Sequence, residues 1–347
     1  MRRVSLFRRR SAVTAGPPPA VARFWDWWAA AGDQVAAAVD RGDTAAADAL
    51  VAPHVRTLDP ALRAETGGGR FARRRLVVTA AGRTDLRPLT ERWCRASPGD
   101  GLEWEFLPAR PAVPEFFDRT IDVGGVPVQL GATAVEARTD DRRCRLDIGV
   151  WNPALPALTE EERERFGLCV LEWALGEDDV ERWVGQMEPL DARPLDSVPA
   201  SMLAAVTEQL TQRWGGDGWA LLEGTAGTRR LVAQVRRPLH RVDHALFDEH
   251  VAVSLPYTDL TLEGLPGETA AGDLRAFEEA LVARVGGRAV LVAHETTSGE
   301  RLLHLYDDAL ASVLPDVRSI LGGYIGGGAT ATARYDPAWR SVEHLRL

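Results

Sequence analysis

The chain contains no lysine: all 41 of its basic residues are arginine. That absence excludes Schiff-base catalysis, the lysine of phosphate-binding loops and the nucleotide-binding lysine of kinases. Cysteine is scarce. Cys94, Cys144 and Cys169 are an odd number with wide spacings, which fits neither a disulfide framework nor a zinc pattern. They read as small buried hydrophobes. No run of about 18 apolar residues occurs, so no membrane-spanning helix is expected. The start of the chain is basic, but Ser11 to Ala20 carries Gly16 and three prolines where a secretory leader needs an apolar stretch. A cytoplasmic location is the expectation that follows. No Gly-x-Ser-x-Gly elbow is present either.

What is there suits a globular protein. The length of 347 residues suggests two domains of ordinary size. A hydrophobic fraction of 45% and a charged fraction of 26% supply enough apolar surface to offset the entropy of folding. The net charge of −9 is unevenly distributed. Residues 1–110 hold 18 arginines against 12 carboxylates, a balance of +6, while residues 111–347 hold 23 against 38, a balance of −15. The larger, acidic part should repel nucleic-acid backbones and attract basic partners. The Arg8–Arg10 and Arg73–Arg75 runs lack the interleaved aromatics of a nucleic-acid platform.

Periodicity predicts an α+β protein with a disordered leader over residues 1–20, an N-terminal α+β domain over 21–195 and a C-terminal domain over 196–347. The boundary is placed at the proline-containing, charged stretch Asp191–Pro199. Phe24, Trp28, Ala31, Val35 and Val39 form the apolar stripe of a first helix. Thr159 with Glu162 predicts a capping box, and Gly176 a helix end. An order of two strands, a helix and a strand is expected twice in the N-terminal domain. In the C-terminal domain Val251, Val253 and Leu255 alternate as in a half-buried strand. Leu274, Phe277, Leu281 and Val285 define a helix, and Ala289–Ala293 reads as a central strand. A helix over Ala309–Leu321, bent or divided at Pro315, precedes a last strand near Ala329–Tyr335. Read in order this is β-α-β-β-α-β, a ferredoxin-like antiparallel sheet with helices on one face.

The stretch from about Gly218 to Leu347 resembles a bacterial family catalogued as domain of unknown function 695. The residues that carry the likeness are Gly264-Leu265-Pro266, Phe277-Glu278-Glu279, Thr297-Ser298-Gly299-Glu300-Arg301, Tyr306 and Tyr335-Asp336-Pro337-Ala338-Trp339. Leu175 to Val184 looks like the segment that often precedes that domain in bacterial members. The chain departs from the family at its end, His344-Leu345-Arg346-Leu347, where an aromatic-proline finish is usual. The resemblance implies the ferredoxin-like shape, which is similar to that of the small inhibitors of ribonuclease E. It implies no activity, since the family has none established.

Several groups are candidates for chemistry. His240 and His244 lie four apart, as a metal pair on one helix face would, with His250, Asp243, Asp248 and Glu249 nearby. Pro238 leaves little room for that helix, and no glutamate sits between the two histidines. The acidic run Glu177, Asp178, Asp179 and Glu181 falls where a helix starts, so the helix dipole accounts for it. Gly322 to Gly328 follows a helix and precedes a strand, the reverse of a phosphate cradle. Asp336-Pro337 starts a terminal turn that folds Trp339 back on the sheet. Thr297, Arg301, His304 and Tyr306 surround one hairpin and form a possible ligand-facing set, although strand alternation turns Arg301 away from His304 and Tyr306. Trp25 and Trp27 lie off the stripe of their helix and suggest an interdomain or partner surface. These readings favour a non-catalytic binding or regulatory protein that recognises a basic protein partner and needs no cofactor. The alternative is a metal-dependent hydrolase using the His240–His250 region.

Overall fold

The computed structural model describes residues 18–216, 218–226 and 229–346. The basic start and all but the last three residues of the expected leader lie outside them. The protein is α+β with several sheets, and none of its described helices is long and apolar enough to cross a membrane. Its buried apolar side chains gather around three successive stretches of chain.

The first stretch holds α1 (Pro19–Asp40), α2 (Thr44–Arg56), β1 (Arg63–Gly68), β2 (Arg74–Thr79), α3 (Arg87–Arg95) and β3 (Trp104–Leu107). Helix α1 begins inside the expected leader because Pro19 occupies its first turn, where a missing N–H costs nothing. The strands are ordered β1-β2-β3, the first pair antiparallel and the second parallel. Phe24, Trp28, Val35, Leu76, Val78, Trp93 and Phe106 fill the core. Trp25 and Trp27 do not form the partner surface that their position suggested. The indole N–H of Trp25 donates to the Trp93 carbonyl at 3.0 Å, and its ring stacks on that of Trp93. Trp27 stacks on His54 with ring centroids 3.8 Å apart. The helix is packed on more than one side, so its apolar arc is wider than one stripe.

The second stretch opens with the hairpin β4 (Thr120–Val123) and β5 (Val126–Gln129). It continues through β6 (Ala134–Asp140), β7 (Arg145–Trp151), α4 (Glu160–Leu175), α5 (Glu177–Trp183), β8 (Val184–Pro189), β9 (Val198–Pro199) and α6 (Leu203–Trp214). The capping box of Thr159 and Glu162 opens α4, and Gly176 closes it. The sheet order is β8-β7-β6-β9, with β8 parallel to β7 and the other pairs antiparallel. Both stretches thus build an antiparallel pair and return through helix to a strand parallel to the second member. Val198 pairs with Val135, and Leu203 and Leu210 are buried in this core. Residues 198–214 therefore pack with the preceding stretch, although the composition shift at Asp191–Pro199 had placed them with the following one. The prolines there mark an exposed loop, with Leu195 fully exposed.

The third stretch contains β10 (Gly218–Ala226), β11 (Arg229–Arg237), β12 (Glu249–Pro256), α7 (Glu268–Val285), β13 (Ala289–Thr297), β14 (Glu300–Asp307), α8 (Leu314–Leu321) and β15 (Thr330–Tyr335). Its six strands run in the order β10-β11-β13-β14-β12-β15, every neighbouring pair antiparallel. Ser298 and Gly299 both have positive φ, 42° and 89°, the backbone that a tight hairpin turn between β13 and β14 requires. On one face Val251, Val253, Leu303 and Leu305 meet Leu274, Leu281 and Val317 of the two helices. On the other, Val235, Val290 and Tyr306 are covered by Trp339, Val342 and Leu345 of the terminal turn. Pro315 does not bend a long helix. Residues 309–311 form a separate 3-10 turn, and Pro315 sits in the first turn of α8, where proline is favoured.

Two expectations follow for stability. Leu281 is fully buried and Glu279 exposed on the same helix. Chemical denaturation should show Leu281→Ala costing about 2–5 kcal/mol and Glu279→Ala no more than about 0.5 kcal/mol. Asp307 ends β14 fully buried, with Oδ2 accepting from the Val313 N–H at 2.5 Å and no partner for Oδ1 among the described residues. Burial pushes its carboxyl up to about 7, against the Val313 hydrogen bond. The folded protein therefore holds this proton more tightly than the unfolded chain, whose value is near 3.8. The resulting stabilisation is complete below about pH 4 and is lost as pH rises through about 7. Unfolding measured between pH 5 and 8 should show a loss of roughly 2 kcal/mol at this site, and Asp307→Asn should flatten it.

Candidate ligand-binding cleft

The charge asymmetry of the chain has a structural counterpart. Three arginines of the basic first stretch are held by carboxylates of the acidic remainder. From α3, Arg92 makes a two-pronged pair with Asp248, at 2.7 and 2.9 Å, and also reaches Asp308. Asp248 is fully buried. Arg87 pairs in the same way with Asp178, both bonds 2.9 Å. Arg110 binds Glu172 at 3.0 Å and Glu177 at 3.2 Å. Gly176 makes this last contact possible. A Cβ there would lie 2.8 Å from the Ala112 nitrogen and 2.9 Å from the Arg110 carbonyl oxygen, so only glycine lets the two backbones approach. The acidic run after Gly176 does more than open a helix: Asp178, Asp179 and Glu181 each hold an arginine.

Where the three stretches meet, the chain encloses a cleft of about 800 Å³. Nine arginines line it against five carboxylates, the reverse of the balance of the whole chain. Some of these arginines are spoken for, such as Arg87 by Asp178 and Arg83 by Asp85. Others are not. Arg145, at the start of β7, donates its Nη1 to the backbone carbonyls of Glu181 and Arg182, and no carboxylate pairs with it among the described residues. Burial, and then the charge of Arg346, lower its guanidinium to about 10. Arg241 is only 4% exposed. Its Nε donates to Glu181 at 2.8 Å, but its Nη1 is buried and meets no acceptor among the described residues. Arg346, from the terminal turn, completes this wall. Leu171, Met187, Leu222 and Leu239 give the cleft an apolar side. Arginine surplus beside apolar surface is the make-up of a site for an anionic group with an apolar body.

The residues singled out from the sequence do not converge. Arg241–His244 forms a 3-10 turn, so the spacing of four does not lay His240 and His244 on one helix face. His240 is buried against Trp183, with Nδ1 3.6 Å from Asp243, and burial lowers its pKa. His244 stacks on Phe247 and Trp339. His250 lies on β12, its Nε2 3.0 Å from Nδ1 of His304. Among the described residues, no group of three or more His, Cys, Asp or Glu is placed to hold a metal. The hairpin set is divided as well. Thr297 donates to the Arg230 carbonyl at 3.0 Å. Arg301 pairs with Glu278 of α7 at 2.7 Å. On the face opposite Arg301, His304 binds Glu295 at 3.0 Å, and Tyr306 donates to Asp336 at 2.7 Å while stacking on Trp339. These are packing roles on two sides of one sheet. The arginines of the cleft were missed because they come from positions as far apart as Arg83 and Arg346. The only local signals were the doublets Arg142-Arg143 and Arg236-Arg237.

No family profile, curated protein or solved structure matches the chain.

The pairing of Arg92 with Asp248 yields a test. Arg92→Met leaves a fully buried carboxylate without its partner, and denaturation should show a loss of about 3–5 kcal/mol. Adding Asp248→Leu should recover most of it, because the residual charge is then gone. If the double variant is as unstable as Arg92→Met, burial of Asp248 is not the source of the cost.

Proposed function

We propose that the protein is a non-catalytic binding protein whose ligand is anionic and enters the central cleft. The observation that carries this reading is a pair of arginines at the cleft wall: among the described residues, buried Arg241 has one nitrogen without an acceptor and Arg145 pairs with no carboxylate. A buried donor without an acceptor costs on the order of 1–3 kcal/mol, and the positive charge of its guanidinium is what an anion in the cleft offsets. The described residues that line the cleft include no histidine, cysteine, serine or tyrosine, so the lining favours binding over group transfer.

The balance of −15 over residues 111–347 pointed to a basic protein partner. Carboxylates of that part hold Arg87, Arg92 and Arg110 of the same chain. We therefore read the attraction as acting mainly within the molecule, and assign the external ligand the opposite sign. The segment from β12 to β15 is read as a ferredoxin-like module, widened at the β13 edge by the β10–β11 hairpin. The spatial order β13-β14-β12-β15, with α7 and α8 on one face, supports that reading and the likeness to domain of unknown function 695.

Thermal unfolding with citrate, sulfate or inorganic phosphate, at ionic strength fixed with sodium chloride, tests the proposal. At least one anion should raise Tm in a saturable way, and Arg145→Gln should remove most of the rise. No response to any of the three would refute an anion site.

A further inference from the structure

The cleft carries more than a sign of charge, and the next step rests on the reading of it as an anion site. Arg145, Arg241 and Arg346 stand around the Glu181 carboxylate. Glu181 is already engaged by Nε and Nη2 of Arg241, while its backbone carbonyl receives Arg145. These three guanidiniums face Glu181 and the more exposed Glu343, and the lining as a whole holds nine arginines against five carboxylates, so the cleft keeps a surplus of positive charge. A carboxylate ligand cancels one charge of that surplus. A phosphate monoester carries about −1.5 to −2 at neutral pH and presents three acceptor oxygens, which offsets more of the surplus and offers an acceptor to each of the three guanidiniums.

The apolar side sets the rest of the ligand. Leu171, Met187 and Leu222 face the same cleft, so the group esterified to the phosphate meets hydrocarbon, not water. We propose that the cleft binds a small phosphomonoester, its dianionic phosphate held among Arg145, Arg241 and Arg346 and its apolar or aromatic body laid against Leu171, Met187 and Leu222. Binding forms and breaks no covalent bond. A free phosphate fills only the charged half of this site, and a diester lacks the second charge.

Calorimetric titration of the full chain with phenyl phosphate, inorganic phosphate, diphenyl phosphate and phenylacetate distinguishes these ligands. Phenyl phosphate should bind at least about tenfold more tightly than each of the other three. Its affinity should rise between pH 5 and 7.5 as the second proton leaves the phosphate, whose pKa is about 6, whereas that of phenylacetate should not. Arg145→Gln should weaken phenyl phosphate about tenfold or more. Arg346→Gln, at an exposed position, should weaken it in the same direction. Arg138→Gln, outside the cleft, should change nothing. Phenylacetate binding as well as phenyl phosphate would overturn the phosphate assignment and leave the anion site standing. Binding of phenyl phosphate that both cleft variants leave unchanged would overturn the location. If none of the four binds, the phosphate assignment and the anion site fall together.

Discussion

The pairing of Arg92 with the buried Asp248 is the contact on which the arrangement of the three stretches depends. Asp248 sits just before β12, so the pair ties α3 of the first stretch to the start of that strand in the last sheet. A buried ion pair contributes little net stability, because both partners lose water on burial. It does fix geometry, since any displacement that parts the two groups leaves a buried charge uncompensated. Arg87 with Asp178 and Arg110 with Glu177 repeat the device against the second stretch. The uneven charge along the chain is therefore a docking code. A basic N-terminal part and an acidic remainder find each other, and the planar, forked guanidinium sets the angle at which they meet.

The cleft is the place where this pairing runs out. Around its rim each carboxylate of the acidic run after Gly176 meets an arginine. Deeper in, Glu181 serves Arg241 with its side chain and Arg145 with its backbone, and no carboxylate among the described residues pairs with Arg145. An arrangement that placed arginine there for stability alone would be costly. Apolar side chains of the same volume pack in such a position without any desolvation of charge. The surplus is what the proposed anion would neutralise.

The same face of the last sheet, further under the terminal turn, shows polar groups buried with their partners supplied by the protein. His250, His304, Glu295 and His344 form a continuous chain of contacts at 2.9–3.0 Å. Burial, and then the charge of His304, push His250 down to about 4, so it stays neutral near pH 7. His304 thus meets His250 through Nδ1 and Glu295 through Nε2, so both of its ring nitrogens have partners. The terminal turn closes over this chain with Trp339, whose indole N–H donates to the Phe247 carbonyl at 2.7 Å. Satisfaction there is nearly complete, in contrast to Nη1 of Arg241, which meets no acceptor among the described residues.

The sequence by itself determined the elements and most of the core. Helices α1, α4 and α7 were legible from apolar residues repeating at helical spacing and from the Thr159 and Gly176 signals, because those patterns are set by local geometry. The strands from β12 to β15 were legible from alternation, and so was the return of Trp339 to the sheet. Only the tertiary structure decided three things. Trp25 and Trp27 turned inward because two other helices supply surfaces that no single-helix stripe can reveal. Residues 198–214 joined the second core because Val198 completes a sheet edge, a pairing between positions more than sixty residues apart. The cleft arose because Arg145, Arg241 and Arg346 are brought to one wall by three different elements. Spacing along a chain records periodicity within an element, whereas a site built across elements is recorded only in how those elements dock.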